Sequence, residues 1–125
     1  MSYTSEHWRK AVTKLLELTS NNSIKWEPSQ LFVPDAWTIV DNSYMSTIKE
    51  KTYVVSETRK RHYLDEDEYV WHGYHVLSIY EKKGYQNYTK LAISPEMSSI
   101  SSLFDAAQAN YAFNSNALGG LLDFD

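Results

Sequence analysis

No cysteine occurs among the 125 residues, which excludes a disulfide framework, a thiolate nucleophile and any cysteine-containing zinc site. Glycine (four residues) and proline (three) are sparse, and no glycine-rich loop precedes a helix to cradle phosphate; Gly119-Gly120 follows one instead. No apolar run approaches the roughly 18 residues of a membrane-spanning helix. The opening Met1-Ser2-Tyr3-Thr4-Ser5-Glu6 has no basic stretch leading into an apolar one, so no signal peptide is expected. These absences predict a soluble, cytoplasmic chain with no membrane partner, in which the sequons at Asn21 and Asn87 are accidental.

Aromatic residues are plentiful and skewed: ten tyrosines and four tryptophans against four phenylalanines. Tyr and Trp combine an apolar body with a polar tip, which suits half-buried sheet faces and recognition surfaces alike. Charge is uneven. Residues 1–64 carry nine Lys/Arg against seven Asp/Glu, and residues 65–125 carry three against nine, for a net charge of −4. The acidic half disfavours binding along a phosphate backbone and suits a basic protein partner or simple solubility.

The length fits one domain, residues 1–125. Trp8, Ala11, Val12, Leu15, Leu16 and Thr19 recur at the spacing of one helical face, with Thr4 or Ser5 as cap, Glu6 in the first turn and Asn21-Asn22 at the stop. Strand-like segments follow at residues 23–27, ended by Pro28, and at 37–40. The run 44–63 breaks near Lys49-Glu50-Lys51 into a hairpin of about 44–49 and 52–59. Residues 69–80 alternate, with Val70, His72, Tyr74, Val76 and Ser78 against Trp71, Gly73, His75, Leu77 and Ile79. A turn at Gly84 leads to a last strand at 85–93. Ser98 or Ser99 then caps a helix with Ile100, Leu103, Phe104, Ala107 and Tyr111 on its apolar face. Gly119-Gly120 breaks that pattern before an apolar tail of Leu118, Leu121, Leu122 and Phe124. The order predicts an α+β fold: an N-terminal helix, an antiparallel meander of about four to six strands, and a C-terminal helix on the same sheet face.

Chemistry-bearing constellations are few. His72-x-x-His75 would suit a metal on a helix, but in a strand the two point to opposite faces. Asp65-Glu66-Asp67-Glu68 lacks the spaced ligands and central glycine of a calcium loop, and reads as a solvated tip or loop that screens the neighbouring Arg59-Lys60-Arg61-His62. No nucleophile elbow and no H-E-x-x-H motif is present. No catalytic residue, metal or cofactor is expected. The basic block, flanked by Tyr53 and Tyr63, has the basic-plus-aromatic character of a phosphate or single-strand contact.

Leu15-Leu16-Glu17-Leu18-Thr19 followed by Ile24-Lys25-Trp26-Glu27 resembles the opening of a group of small uncharacterised bacterial and phage proteins. Leu103-Phe104-Asp105-Ala106-Ala107, through Leu118 to Leu121-Leu122-Asp123, is similar to their closing helix, and those proteins also carry a tyrosine-rich meander. Residues 28–42 and 59–68 depart from the pattern. The resemblance implies an α+β fold and a bacterial or phage origin, and it brings no catalytic residues with it.

The leading expectation is a non-enzymatic protein-interaction module, in the manner of an accessory or immunity-like factor in mobile-element or phage conflict. Its partner is a second protein or another copy of itself. Leu31, Phe32, Val33 and Trp37, between and beyond two prolines, are the candidate partner-binding residues, in preference to the charged 59–68 segment. The same side chains could instead close one end of the core. The alternative is a nucleotide-like small-ligand binder that uses Arg59, Lys60, Arg61, Tyr53 and Tyr63.

Overall fold

The computed structural model describes residues 1–85 and 87–122. Its first element, α1 (Ser5–Ser20), starts at Thr4, whose hydroxyl accepts the His7 N–H at 3.2 Å while His7 Nδ1 accepts the Thr4 N–H at 3.0 Å. This is a reciprocal capping box with histidine in the place usually held by Glu or Gln. The buried stripe is the predicted one: Trp8, Val12, Leu15 and Thr19 are buried, and Ala11 and Leu16 half-buried. Asn22, just past the helix, takes the left-handed conformation (φ 60°) that asparagine tolerates.

The strands are β1 (Glu27–Pro28), β2 (Thr38–Ile48), β3 (Lys51–Tyr63), β4 (Tyr69–Lys82) and β5 (Tyr88–Ile93), paired antiparallel in chain order. The turn expected near Lys49-Glu50-Lys51 is present, with Ile48 opposite Lys51 and Lys49 at φ 59°. Two short segments differ from expectation. The strand read at 23–27 is reduced to Glu27–Pro28, because the Trp26 N–H and the Ile24 carbonyl bond to the Asn110 side chain instead of to a strand. The segment at 37–40 is no separate strand. It runs into β2 through an irregularity between Val40 and Asn42 that leaves Asp41 without a partner in β3.

The chain closes with α2 (Ser99–Asn114) and the single turn α3 (Gly119–Leu122). The helical pattern thus breaks at Ser115 and Asn116 (φ 55°), ahead of Gly119-Gly120, which start a helical turn rather than ending one. Leu118, Leu121 and Leu122 are exposed, while Asp123 and Phe124 of the predicted tail and closing motif lie outside the described residues.

Trp8, Val12 and Leu15 of α1 and Ile100, Leu103, Phe104 and Ala107 of α2 pack with Trp26 and with Tyr44, Val55 and Leu77 from one sheet face. The architecture is therefore α+β, with an open five-stranded sheet and both helices on one side. On the reverse face Ser43, Val54, Ser56, Thr58, Val76 and Ser78 are also buried. The 29–37 connection passes over that side: Phe32, Pro34 and Asp35 share a cavity with Tyr74, Val76 and Ile93, and the Lys90 ammonium lies 5.7 Å from the Phe32 ring centroid. Serine and threonine hydroxyls fit under this thin cover because they find partners within the sheet. Ser43 and Ser56 bond each other across β2 and β3, and Thr58 donates to the Tyr74 carbonyl at 2.8 Å.

Candidate interaction surface

β3 and β4 are the longest strands, and their pairing continues from Lys51 opposite Glu81 out to Tyr63 opposite Tyr69. The helices cover only the inner part. His75 packs on Phe104, with centroids 5.0 Å apart, and beyond Gly73 every residue from 60 to 73 is exposed. The result is a two-stranded arm. Residues 59–63, read from sequence as part of a charged tip or loop, are its outer β3 strand; only 64–68 form the turn. Charge repulsion does not prevent the strand, because the facing β4 residues are aromatic or neutral and accept the cations.

Strand alternation sorts the arm's side chains onto two faces. On the helix side stand Arg59, Arg61 and Tyr63, opposite Gly73, Trp71 and Tyr69, with Ile39 of β2 beside Arg59. Arg59 lies 4.8 Å from the Trp71 ring centroid, and Arg61 lies 4.7 Å from Tyr69 and 5.6 Å from Trp71. Tyr69 meets Trp71 edge-on at 5.8 Å and Tyr63 at a tilt at 5.6 Å. Cations and rings thus interleave into one ladder, each guanidinium attracted by the negative face of the ring beside it. Arg61 Nη1 also donates to Tyr63 Oη at 3.5 Å. That bond, followed by the phenol groups of Tyr69 and Tyr63, holds the guanidinium above its ordinary pKa. Arg59 is partly neutralised by Asp41, Nε to Oδ1 at 3.1 Å.

The reverse face of the arm carries Lys60, 5.0 Å from the Tyr74 ring, and His72, stacked on Tyr74 at 5.9 Å with Nε2 2.9 Å from Glu96 Oε1. His75 faces the helices near Glu57, at 3.7 Å. The two histidines therefore point to opposite sides, as the strand period requires. Among the described residues no cluster of three or more His, Asp or Glu side chains forms a metal site, and no helix is long and apolar enough to cross a membrane.

The predicted ligand set is split. Arg59, Arg61 and Tyr63 share a face and Lys60 lies behind it. Tyr53 sits six residues, about 20 Å, further along β3, in a groove of about 520 Å³ with Tyr3, Trp8 and Ala11. The predicted partner-binding set is split too. Leu31 and Phe32 are half-buried, Phe32 over the reverse face, whereas Val33 and Trp37 are 77% and 71% exposed. Trp37 lies one residue before Thr38, the first β2 residue paired with β3 (to Lys60), so it flanks the arm. Tyr69, Trp71 and Ile39 escaped the sequence reading. The alternation phase of Trp71 was legible, but the pairing that sets it against Arg61 was not.

Compared with family models, with curated proteins and with solved structures, the chain matches none.

Proposed function

We propose that the protein is a non-enzymatic interaction module that acts by protein–protein contact through the helix-side face of the β3–β4 arm. One observation carries this: Ile39, Tyr63, Tyr69 and Trp71 are each 40–48% exposed on a single face and interleaved with two arginines. Trp, Tyr and Arg dominate the few residues that hold most binding energy at interfaces. Contiguous exposed apolar surface of this kind marks contact sites more often than bare solvent-facing sheet. The pre-stacked guanidiniums also lower the ordering cost of binding, since their rotamers are already restricted. A role as an accessory or immunity-like factor rests on the resemblance of the chain's two ends to small bacterial and phage proteins.

Nucleotide-like ligands are the rival, favoured by the Arg61 stack on Tyr69 and Trp71. A flat ribbon gives such a ligand little enclosure, whereas small-molecule sites are concave. The test is binding by immobilised protein, wild type against Trp71→Ala and Arg61→Ala, with Lys14→Ala on the far side of α1 as control. A specific protein ligand whose Kd rises at least tenfold, about 1.4 kcal/mol, in both arm variants but not in the control supports the reading. Equal binding by all four proteins overturns it, as does a nucleotide that raises the melting temperature of wild type but not of Arg61→Ala.

A further inference from the structure

The arm carries its own complement. Moving outward along the helix-side face, Arg59 and Arg61 come first and the Tyr63–Tyr69 pair next; the turn then carries the four exposed carboxylates of Asp65, Glu66, Asp67 and Glu68. A two-fold interface must be self-complementary, since each feature on one copy meets a different feature at the mirrored position on the other. Place the axis at the Tyr63–Tyr69 row, with two arms running in opposite directions and these faces together. The aromatic rows then meet each other, and Arg61, two residues inward, meets the start of the other copy's acidic tip, two residues outward.

Resting on the protein-contact reading above, the geometry points to a second copy of this chain as the occupant: two arms antiparallel, face to face, basic stem against acidic tip. The charge order selects this occupant over others. A nucleic acid strand following the arginines would run into four carboxylates at the tip, and Arg59 already spends part of its charge on Asp41. A uniformly acidic protein meets the same tip. Only a partner with alternating charge matches the whole face, and this chain supplies that pattern in the correct order.

The size of the face sets the strength. Five paired rows at about 3.3 Å, on two strands about 4.8 Å apart, present a ribbon face on the order of 160 Å². Ile39 and Trp37 extend this, yet it falls short of the roughly 800 Å² per partner of a standard interface. The pairing is therefore weak and concentration-dependent.

Two charge-reversed variants test it. Arg61→Glu sets a new carboxylate against the partner's acidic tip. Asp65→Lys sets a cation against the partner's Arg61; it also gives up the exposed turn bond in which Asp65 Oδ1 accepts the Glu66 N–H at 2.7 Å. Sedimentation velocity over a wide concentration series is the readout, with circular dichroism to confirm that each variant folds. Wild type associates; each variant alone has a Kd at least tenfold weaker; an equimolar mixture re-forms the dimer, because the introduced carboxylate and ammonium face each other in one arm-to-tip contact and Arg61 faces Asp65 in the other. A wild type that stays monomeric throughout overturns the proposal, and so does a mixture no more associated than its components. A monomeric wild type that still loses a protein ligand on Trp71→Ala overturns self-pairing alone and leaves the interaction reading standing.

Discussion

The Asn110 carboxamide oxygen on α2 accepts the backbone N–H of Trp26 at 2.9 Å, tying the second helix to the chain where it enters the sheet. The amide nitrogen of Asn110 donates to the Ile24 carbonyl at 3.3 Å and to Asn22 Oδ1 at 3.0 Å, so one side chain satisfies both a donor and an acceptor of the same short segment. The Trp26 indole N–H donates to Thr19 Oγ1 at 2.9 Å, linking α1 to the same point. With Trp26 2% and Asn110 8% exposed, water cannot replace these partners.

Asn110→Ala is expected to destabilise by about 1–3 kcal/mol, the cost of leaving buried polar groups unpaired. Asn110→Asp keeps the acceptor for Trp26 but, when ionised, sets a buried carboxylate oxygen against the Ile24 carbonyl and Asn22 Oδ1, so its loss at neutral pH should be at least that of Ala. Urea denaturation of the two variants checks the order.

Leu15 is 4% exposed in the core between the helices and sheet. Leu15→Ala should cost roughly 2–5 kcal/mol. A loss below about half a kcal/mol, measured the same way, would contradict the packing of α1.

Thr4→Ala removes the hydroxyl that accepts the His7 N–H, and a lost cap of this kind costs typically about 1 kcal/mol. His7→Gln should be far milder, since glutamine can return a bond to the Thr4 N–H. Amide exchange in the first turn of α1 should quicken in the first variant and change little in the second.

Phe32→Ala and Trp37→Ala separate cover from contact surface. Phe32 is half-buried over the reverse face, so its truncation should cost about 1–3 kcal/mol of stability. Trp37, 71% exposed, should cost within about 0.5 kcal/mol and show its effect, if any, on association. Equal destabilisation by both would place Trp37 in the cover as well.

Trp71→Ala should lower stability by only about 1 kcal/mol or less, because it removes exposed cation–ring stacking rather than core. Thermal unfolding against binding, measured on one preparation, tests whether the arm serves contact more than folding.

The sequence by itself determined what depends on the direction of successive side chains. The helical spacing of Trp8, Val12 and Leu15 placed α1 and its buried face, and that of Ile100, Leu103, Phe104 and Ala107 placed the face of α2. The alternation along 69–80 correctly set His72 and His75 on opposite sides, and Lys49-Glu50-Lys51 marked the hairpin turn. These features are legible because the period of a helix or strand is a local property of the backbone.

Tertiary structure alone decided the rest. Which β4 residue lies opposite Arg61 depends on register between strands, and that register assembles the arginine–aromatic ladder. The serines and threonines of the reverse face look polar in sequence, yet they are buried because the 29–37 connection passes over them and cross-strand partners satisfy their hydroxyls. β1 stops at two residues because a side chain 84 positions away takes the Trp26 N–H. Each of these turns on contacts between residues remote in sequence, where no local periodicity reports the partner.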